Sequence, residues 1–113
     1  MVEVKGTTIA ITRGDSAILQ VQIFEADGSE YVPVEGDVVR FALKKNYNDP
    51  EPLLVKQIPI TTMELLFMPE DTKGLEFGPI RGRYKYDVEL TRASGLVDTF
   101  IPRADFIVLE EVL

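Results

Sequence analysis

Between Gly82 and Leu90 the chain alternates without a miss. Tyr84, Tyr86, Val88 and Leu90 are apolar or aromatic, while Arg83, Lys85, Asp87 and Glu89 are charged. A period of two sends successive side chains to opposite faces, which is strand geometry. A helix over the same residues would spread its charges around the whole circumference. One face of this strand is buried and the other wetted, the habit of antiparallel rather than parallel sheets.

The same period recurs along the chain. In Ser16–Glu25, Ala17, Leu19, Val21 and Ile23 fall on one side, and Ile18, Gln20, Gln22 and Phe24 on the other. In Asp37–Lys44, Val39, Phe41 and Leu43 oppose Val38, Arg40, Ala42 and Lys44. Further strands are expected at Thr7–Thr12, Leu54–Ile58, Met63–Phe67, Val97–Ile101 and Phe106–Glu110. Turn chemistry separates them: Asp27-Gly28, the loop Asn46–Pro52, and Ala93-Ser94-Gly95 as a hairpin turn. Pro59 and Pro102 lack the N–H a ladder needs, so each marks an edge, a bulge or a break. One short helical turn is expected near 69–74: Pro69 leads, Glu70 and Asp71 follow, and Lys73 and Gly74 close it. About seven to eight strands at short intervals predict an all-β, antiparallel sandwich. The core should hold Leu19, Val21, Ile23, Val39, Phe41, Leu43, Tyr84, Tyr86, Val88 and Leu90. With no repeat, low-complexity tract or linker, residues 1–113 read as a single domain.

Composition then removes whole classes of chemistry. There is no Cys and no His. Thiol nucleophiles, disulfides, histidine-based triads and the usual zinc sites go with them. Nineteen acidic residues against 12 basic ones give a net charge of −7. That balance disfavours nucleic acid and an anionic membrane surface as partners. No stretch approaches the ~18 consecutive apolar residues of a membrane helix, and Met1–Gly6 has no signal-peptide core. The expected site of synthesis is therefore the cytosol.

Several small constellations deserve weighing. Arg13-Gly14-Asp15 spells an adhesion tripeptide, but a turn between two strands needs the same glycine. Asp27, Ser29 and Glu30, or Asp49 and Glu51, offer oxygens to calcium. The dense Asp-rich loop that calcium favours is absent, and Asx turns account for Asp27 and Asp49. Paired carboxylates in a cleft would suit a glycosidase, yet the acids fall at turns and on outward strand positions. Gly74, Gly78 and Gly82 lack the strand–loop–helix setting of a phosphate loop. No catalytic, cofactor-binding or metal-binding residue is assigned, and no cofactor is expected. Tyr84 and Tyr86 share a face with Val88 and Leu90, so they read as core with hydroxyls at the rim. Ile18 and Phe24 sit on the polar side of their strand, and Phe100 stands opposite Val97, Thr99 and Ile101. Apolar residues on an outer face suggest a second buried surface. Ile18, Phe24 and Phe100 are thus the candidate interface residues, together with strand edges near Pro59 and Pro102.

Glu64-Leu65-Leu66-Phe67, the Pro-Glu-Asp-Thr turn at Pro69–Thr72 and the Gly82–Val88 strand resemble one corner of immunoglobulin-like sandwiches. There a Tyr hydroxyl bonds back to the preceding loop. The spacing here is longer than in antibody domains, and the Cys–Trp–Cys core is missing. Over nearly its full length the chain more closely resembles small prophage tail proteins of Gram-positive bacteria, similar to the N-terminal immunoglobulin-like domain of phage baseplate upper proteins. The matching stretches are Ile11–Asp15, Asp27-Gly28, Gly36–Phe41, Gly82–Leu90 and Val97–Phe100. The resemblance implies a non-enzymatic structural or assembly module of a phage or prophage tail. Its partners would be other tail or baseplate subunits, or further copies of itself. It would be made in the bacterial cytoplasm and end in the virion tail. It brings no catalytic residues. The alternative is a β-sandwich module that binds a carbohydrate or cell-surface ligand. A small hydrolase is the third and weakest reading.

Overall fold

The computed structural model describes residues 2–5, 7–25 and 27–110, with only the backbone at 2–5 and 101–103. Ten strands and one short helix are described: β1 (Val2–Lys5), β2 (Thr8–Thr12), β3 (Ala17–Gln20), β4 (Ile23–Phe24), β5 (Glu30–Tyr31), β6 (Val38–Lys44), β7 (Leu54–Ile58), β8 (Glu64–Phe67), α1 (Pro69–Lys73), β9 (Arg83–Thr91) and β10 (Val97–Leu109). The fold is an all-β sandwich. One layer is a six-stranded sheet in the order β1-β2-β10-β9-β6-β7. The other is built from the pair β3-β8 and the hairpin β4-β5.

The core lies where the alternation placed it. Val39, Phe41 and Leu43 of β6 are fully buried, as is Leu90 of β9, with Tyr84, Tyr86 and Val88 nearly so. From the opposite layer come Ala17, Ile23, Leu65 and Phe67. The Phe41 ring stands 5.4 Å from Phe67, 5.3 Å from Tyr86 and 6.0 Å from Phe106, centroid to centroid. Such aromatic clusters add to the area they bury through edge-to-face geometry. Both core tyrosines keep their hydroxyls satisfied at the rim. The Tyr84 hydroxyl accepts the Glu76 N–H at 2.9 Å, and the Tyr86 hydroxyl donates to the Thr7 carbonyl.

Four expectations need correction. The strand count is higher than about seven to eight, because Ser16–Glu25 is interrupted after Gln20 and the pairs β1 and β5 were not foreseen. Val97–Ile101 and Phe106–Glu110 are one strand, β10, running through Pro102. Two register shifts, at Thr99/Ile101 and Ile101/Ala104, absorb the proline as a bulged segment. The sheet is not wholly antiparallel: β2 runs parallel to the last part of β10, with Ile9 opposite Phe106 and Thr12 opposite Leu109. Finally, Leu19 and Val21 are only half-buried, since the layer they belong to ends beside them.

The turns follow their residue chemistry. The Arg92 N–H bonds the Leu96 carbonyl across the Ala93-Ser94-Gly95 hairpin. Pro69 opens α1, and the Met68 N–H is capped by the Asp71 carboxylate at 2.8 Å. At Gly82 the β9 backbone passes so close to the Val108 carbonyl that any Cβ would collide with it, so glycine is required there.

Candidate functional site

The three candidate interface residues do not form one surface. Ile18 is 61% exposed and lies opposite Leu66, itself 45% exposed, on the outer face of the β3-β8 pair. Phe24 is 53% exposed on β4. Phe100 was expected on an outer face and is not there. Cross-strand partners share a face, and Thr99 opposes the outward Glu89, so Phe100 turns inward. It is half-buried against the core. The apolar character of Val97 misled the assignment, since Val97 itself is exposed.

What the structure brings together is Phe24 and Phe100. They stand on a groove of about 510 Å³ between the layers, with Ile9, Leu19, Val21 and Val88 along it. Among the described side chains its polar contributions come from Thr7, Gln20, Gln22 and Tyr86, and none of its described lining side chains is charged. The Tyr86 hydroxyl already donates to Thr7; burial pushes its pKa up to about 12. The groove opens where the six-stranded layer, through Thr7 and Ile9 at β2, faces the free side of β3, which has no further described strand beside it. Edges were also expected near two prolines. Pro59 follows β7, which is an edge strand of the large sheet. At Pro102 the backbone lies on the part of β10 that β2 does not reach, because β2 pairs only with Phe106–Leu109.

A polar cluster that sequence reasoning missed lies outside the groove, where the β4-β5 hairpin meets the β9-β10 turn. The buried Asp37 carboxylate accepts the Tyr31 hydroxyl at 2.6 Å, the Val34 N–H at 3.0 Å and the Ala93 N–H at 3.0 Å. The Tyr31 hydroxyl, then the Val34 N–H, hold its carboxyl below the ordinary value, and the same bond raises the Tyr31 pKa. The Arg92 guanidinium covers the Tyr31 ring at 4.6 Å and bonds Asp98 at 3.0 Å and Glu25 at 3.2 Å. The two halves of the cluster, around Asp37 and around Arg92, are each local, but the bonds that join them, Ala93 to Asp37 and Arg92 to Glu25, link residues 56 and 67 apart, so no local spacing signals the whole cluster. It ties the β4-β5 hairpin to the β9-β10 turn.

The other constellations resolve into structure. Gly14 takes φ +84° and donates its N–H to the Thr72 hydroxyl at 2.8 Å, while Arg13 stacks over Phe77 at 4.3 Å. The tripeptide is therefore a turn pinned beneath α1. The Asp27 carboxylate caps its own turn through the Ser29 hydroxyl and N–H, and Asp49 accepts the Asn46 N–H. The Ser29 hydroxyl, first, lowers the Asp27 pKa. Among the described residues no three acidic side chains converge as metal ligands would. Burial, then Glu89, raises the Asp87 pKa, but Asp87 lies on the outer sheet face beside Lys44 and not in the groove. Gly78 and Gly82 pair with Val108 at the start of β9, as turn glycines do. Among the described residues no helix is long and apolar enough to cross a membrane.

The chain was compared with protein-family models, with curated proteins and with solved structures, and none of the three comparisons gave a match.

Proposed function

We propose that this chain is a non-enzymatic assembly module that works through protein–protein contacts, of the kind found in phage or prophage tails. The observation that carries the reading is the largely apolar groove between Phe24 and Phe100, uncharged among its described side chains, on a chain whose net charge is −7. An apolar strip of that kind on an acidic surface favours a polypeptide partner over solvent. A sugar would need many directed hydrogen bonds, and the groove offers few polar groups, one of them already engaged. The carbohydrate-binding alternative therefore ranks second.

An immunoglobulin-like topology is part of the same proposal. On this reading β6, β9 and β10 in one layer and β3 and β8 in the other would correspond to the C, F, G and B, E strands, which the order β10-β9-β6 and the pair β3-β8 support. The Tyr84 hydroxyl bonded to Glu76, eight residues upstream, supports it as a corner of the tyrosine type.

The test is association. The purified chain, alone and co-expressed with the products of neighbouring tail reading frames, is sized by light scattering. The proposal expects a defined complex that Phe24→Asp weakens. A monomer that joins no tail subunit and is retained on a glycan surface would overturn it.

A further inference from the structure

The second layer of the sandwich stops short of the first. Strand β3 has β8 on one side and, among the described residues, no strand on the other. The Val21 N–H meets the Met63 carbonyl at 2.8 Å, continuing the β3-β8 ladder. In an antiparallel ladder the paired residues alternate, so Ala17, Leu19 and Val21 direct their backbone groups at β8. Ile18, Gln20 and Gln22 direct theirs away from it. Gln20 and Gln22 of the outward row line the groove, whose floor beyond β9 is made by β10 and β2.

We infer that this edge receives one extended segment of a partner polypeptide, paired through its backbone with Ile18, Gln20 and Gln22. The segment sets uncharged apolar side chains, at alternate positions, between Phe24 and Phe100. Backbone pairing supplies the affinity in such strand addition, and the pockets for alternate side chains supply the specificity. The inference rests on the assembly reading and names the chemistry of its partner.

Three observations select this occupant. Exposed edge strands are ordinarily protected by charge, proline or a bulge. Ser16–Phe24 has none of these residues and is the longest uncharged run in the chain. The free part of β10, by contrast, carries two register shifts and Pro102, which protect it. Second, the described side chains that line the groove carry no charge, which favours uncharged inward side chains on the segment. Third, the groove beside this edge is floored in part by Thr7 and Ile9 at β2, so the large sheet continues beneath the free side of β3. A second copy that paired β3 with β3 would carry the same overhang, and the two overhangs would occupy the same space. A single strand without a second layer avoids that overlap.

The experiment uses the full chain labelled with ¹⁵N and a panel of eight-residue synthetic peptides. Each peptide has Thr at alternate positions, Lys at both ends, and Val, Leu, Ile or Phe at the remaining positions. Control peptides carry Glu in place of the apolar residue. The expected result is that an apolar peptide binds, and that the Ile18, Gln20 and Gln22 amides then resist hydrogen exchange. Gln20→Pro removes the outward N–H together with the side-chain bond to the Thr62 carbonyl, whereas Gln20→Ala removes only the side chain, so Gln20→Pro should weaken binding at least about tenfold in Kd relative to Gln20→Ala. Phe24→Ala, at an exposed site, should weaken it as well without loss of fold. Edge amides already protected in the free monomer would mean the chain fills its own edge, and would overturn the inference. So would a dimer that protects them, failure of the whole panel to bind, or binding that leaves them unprotected. If a tail subunit binds wild type and Gln20→Pro equally, strand addition falls while the assembly reading stands. If an apolar peptide docks as described but no tail subunit associates, the assembly reading alone falls.

Discussion

The turn at Arg13-Gly14-Asp15 is tied to α1 by the Gly14–Thr72 hydrogen bond, and Thr72→Val isolates that bond. Thr72 is fully buried, and its hydroxyl accepts the Gly14 N–H at 2.8 Å. Valine has nearly the volume of threonine, so no cavity opens; what changes is that the Gly14 N–H loses its acceptor. Leaving a buried donor unpaired costs about 1–3 kcal/mol. Gly14 itself is half-buried, so water recovers part of that, and the expected loss is about 1–2 kcal/mol. With a urea m-value of about 2 kcal/mol/M for a chain of this size, the midpoint should fall by about 0.5–1 M. Thr72→Ser keeps the hydroxyl and loses a methyl group, at about 0.8 kcal/mol. The two variants therefore separate by a second measurement. The Gly14 amide should exchange faster in Thr72→Val and at the wild-type rate in Thr72→Ser, both corrected for global stability. If Thr72→Val unfolds within about 0.5 kcal/mol of wild type and leaves Gly14 protected, the hydroxyl is not what holds the turn.

Phe41→Ala removes the ring at the centre of the aromatic cluster, a fully buried side chain. It should cost about 3–5 kcal/mol, read as a fall in Tm of more than about 10 °C. Asp37 has a depressed carboxyl pKa, so its stabilisation is complete above the ordinary value of 3.8 and is lost as pH falls through the lower folded value. Urea midpoints should show Asp37→Asn less stable than wild type at neutral pH, with the gap closing below about pH 4; a gap constant with pH would contradict the Asp37 assignment. Tyr86 has a raised pKa, so stability is unaffected by it below 10 and is lost as pH climbs from 10 toward about 12. Absorbance titration should find Tyr86 ionising together with base unfolding, and Tyr86→Phe should move that limb upward. Gly82→Ala should prevent the pairing of β9 with Val108, visible as loss of the cooperative thermal transition.

The sheet strands were legible because their alternation is complete within a few residues. Asp37–Lys44 and Gly82–Leu90 each carry their own burial pattern, and the structure reproduces it. The helix at Pro69–Lys73 was legible for the same reason, since proline, acids and glycine act within one turn. What was not legible depends on partners far away. Phe100 could be placed only once Thr99 was known to oppose Glu89. The parallel pairing of β2 with β10 depends on which strand lies at the edge, and no local period encodes that. Leu19 and Val21 have the alternation of core residues, yet they border the groove because the layer ends at β3. A clue was present in Ser16–Phe24: a strand with no charge on either face is either covered on both sides or is an edge without protection.

The parallel pairing of β2 with β10 also determines how the domain would respond to force. Tension applied on the N-terminal side of β2 and the C-terminal side of β10 pulls these two neighbours in opposite directions along their length. Every bond between Ile9–Thr12 and Phe106–Leu109 then resists at once, as in a lap joint. The hairpin of β1 with β2 is antiparallel, so the same pull through β1 opens its bonds one at a time, like a zip. The chain thus has a segment that peels early and, behind it, a joint that yields only as a unit.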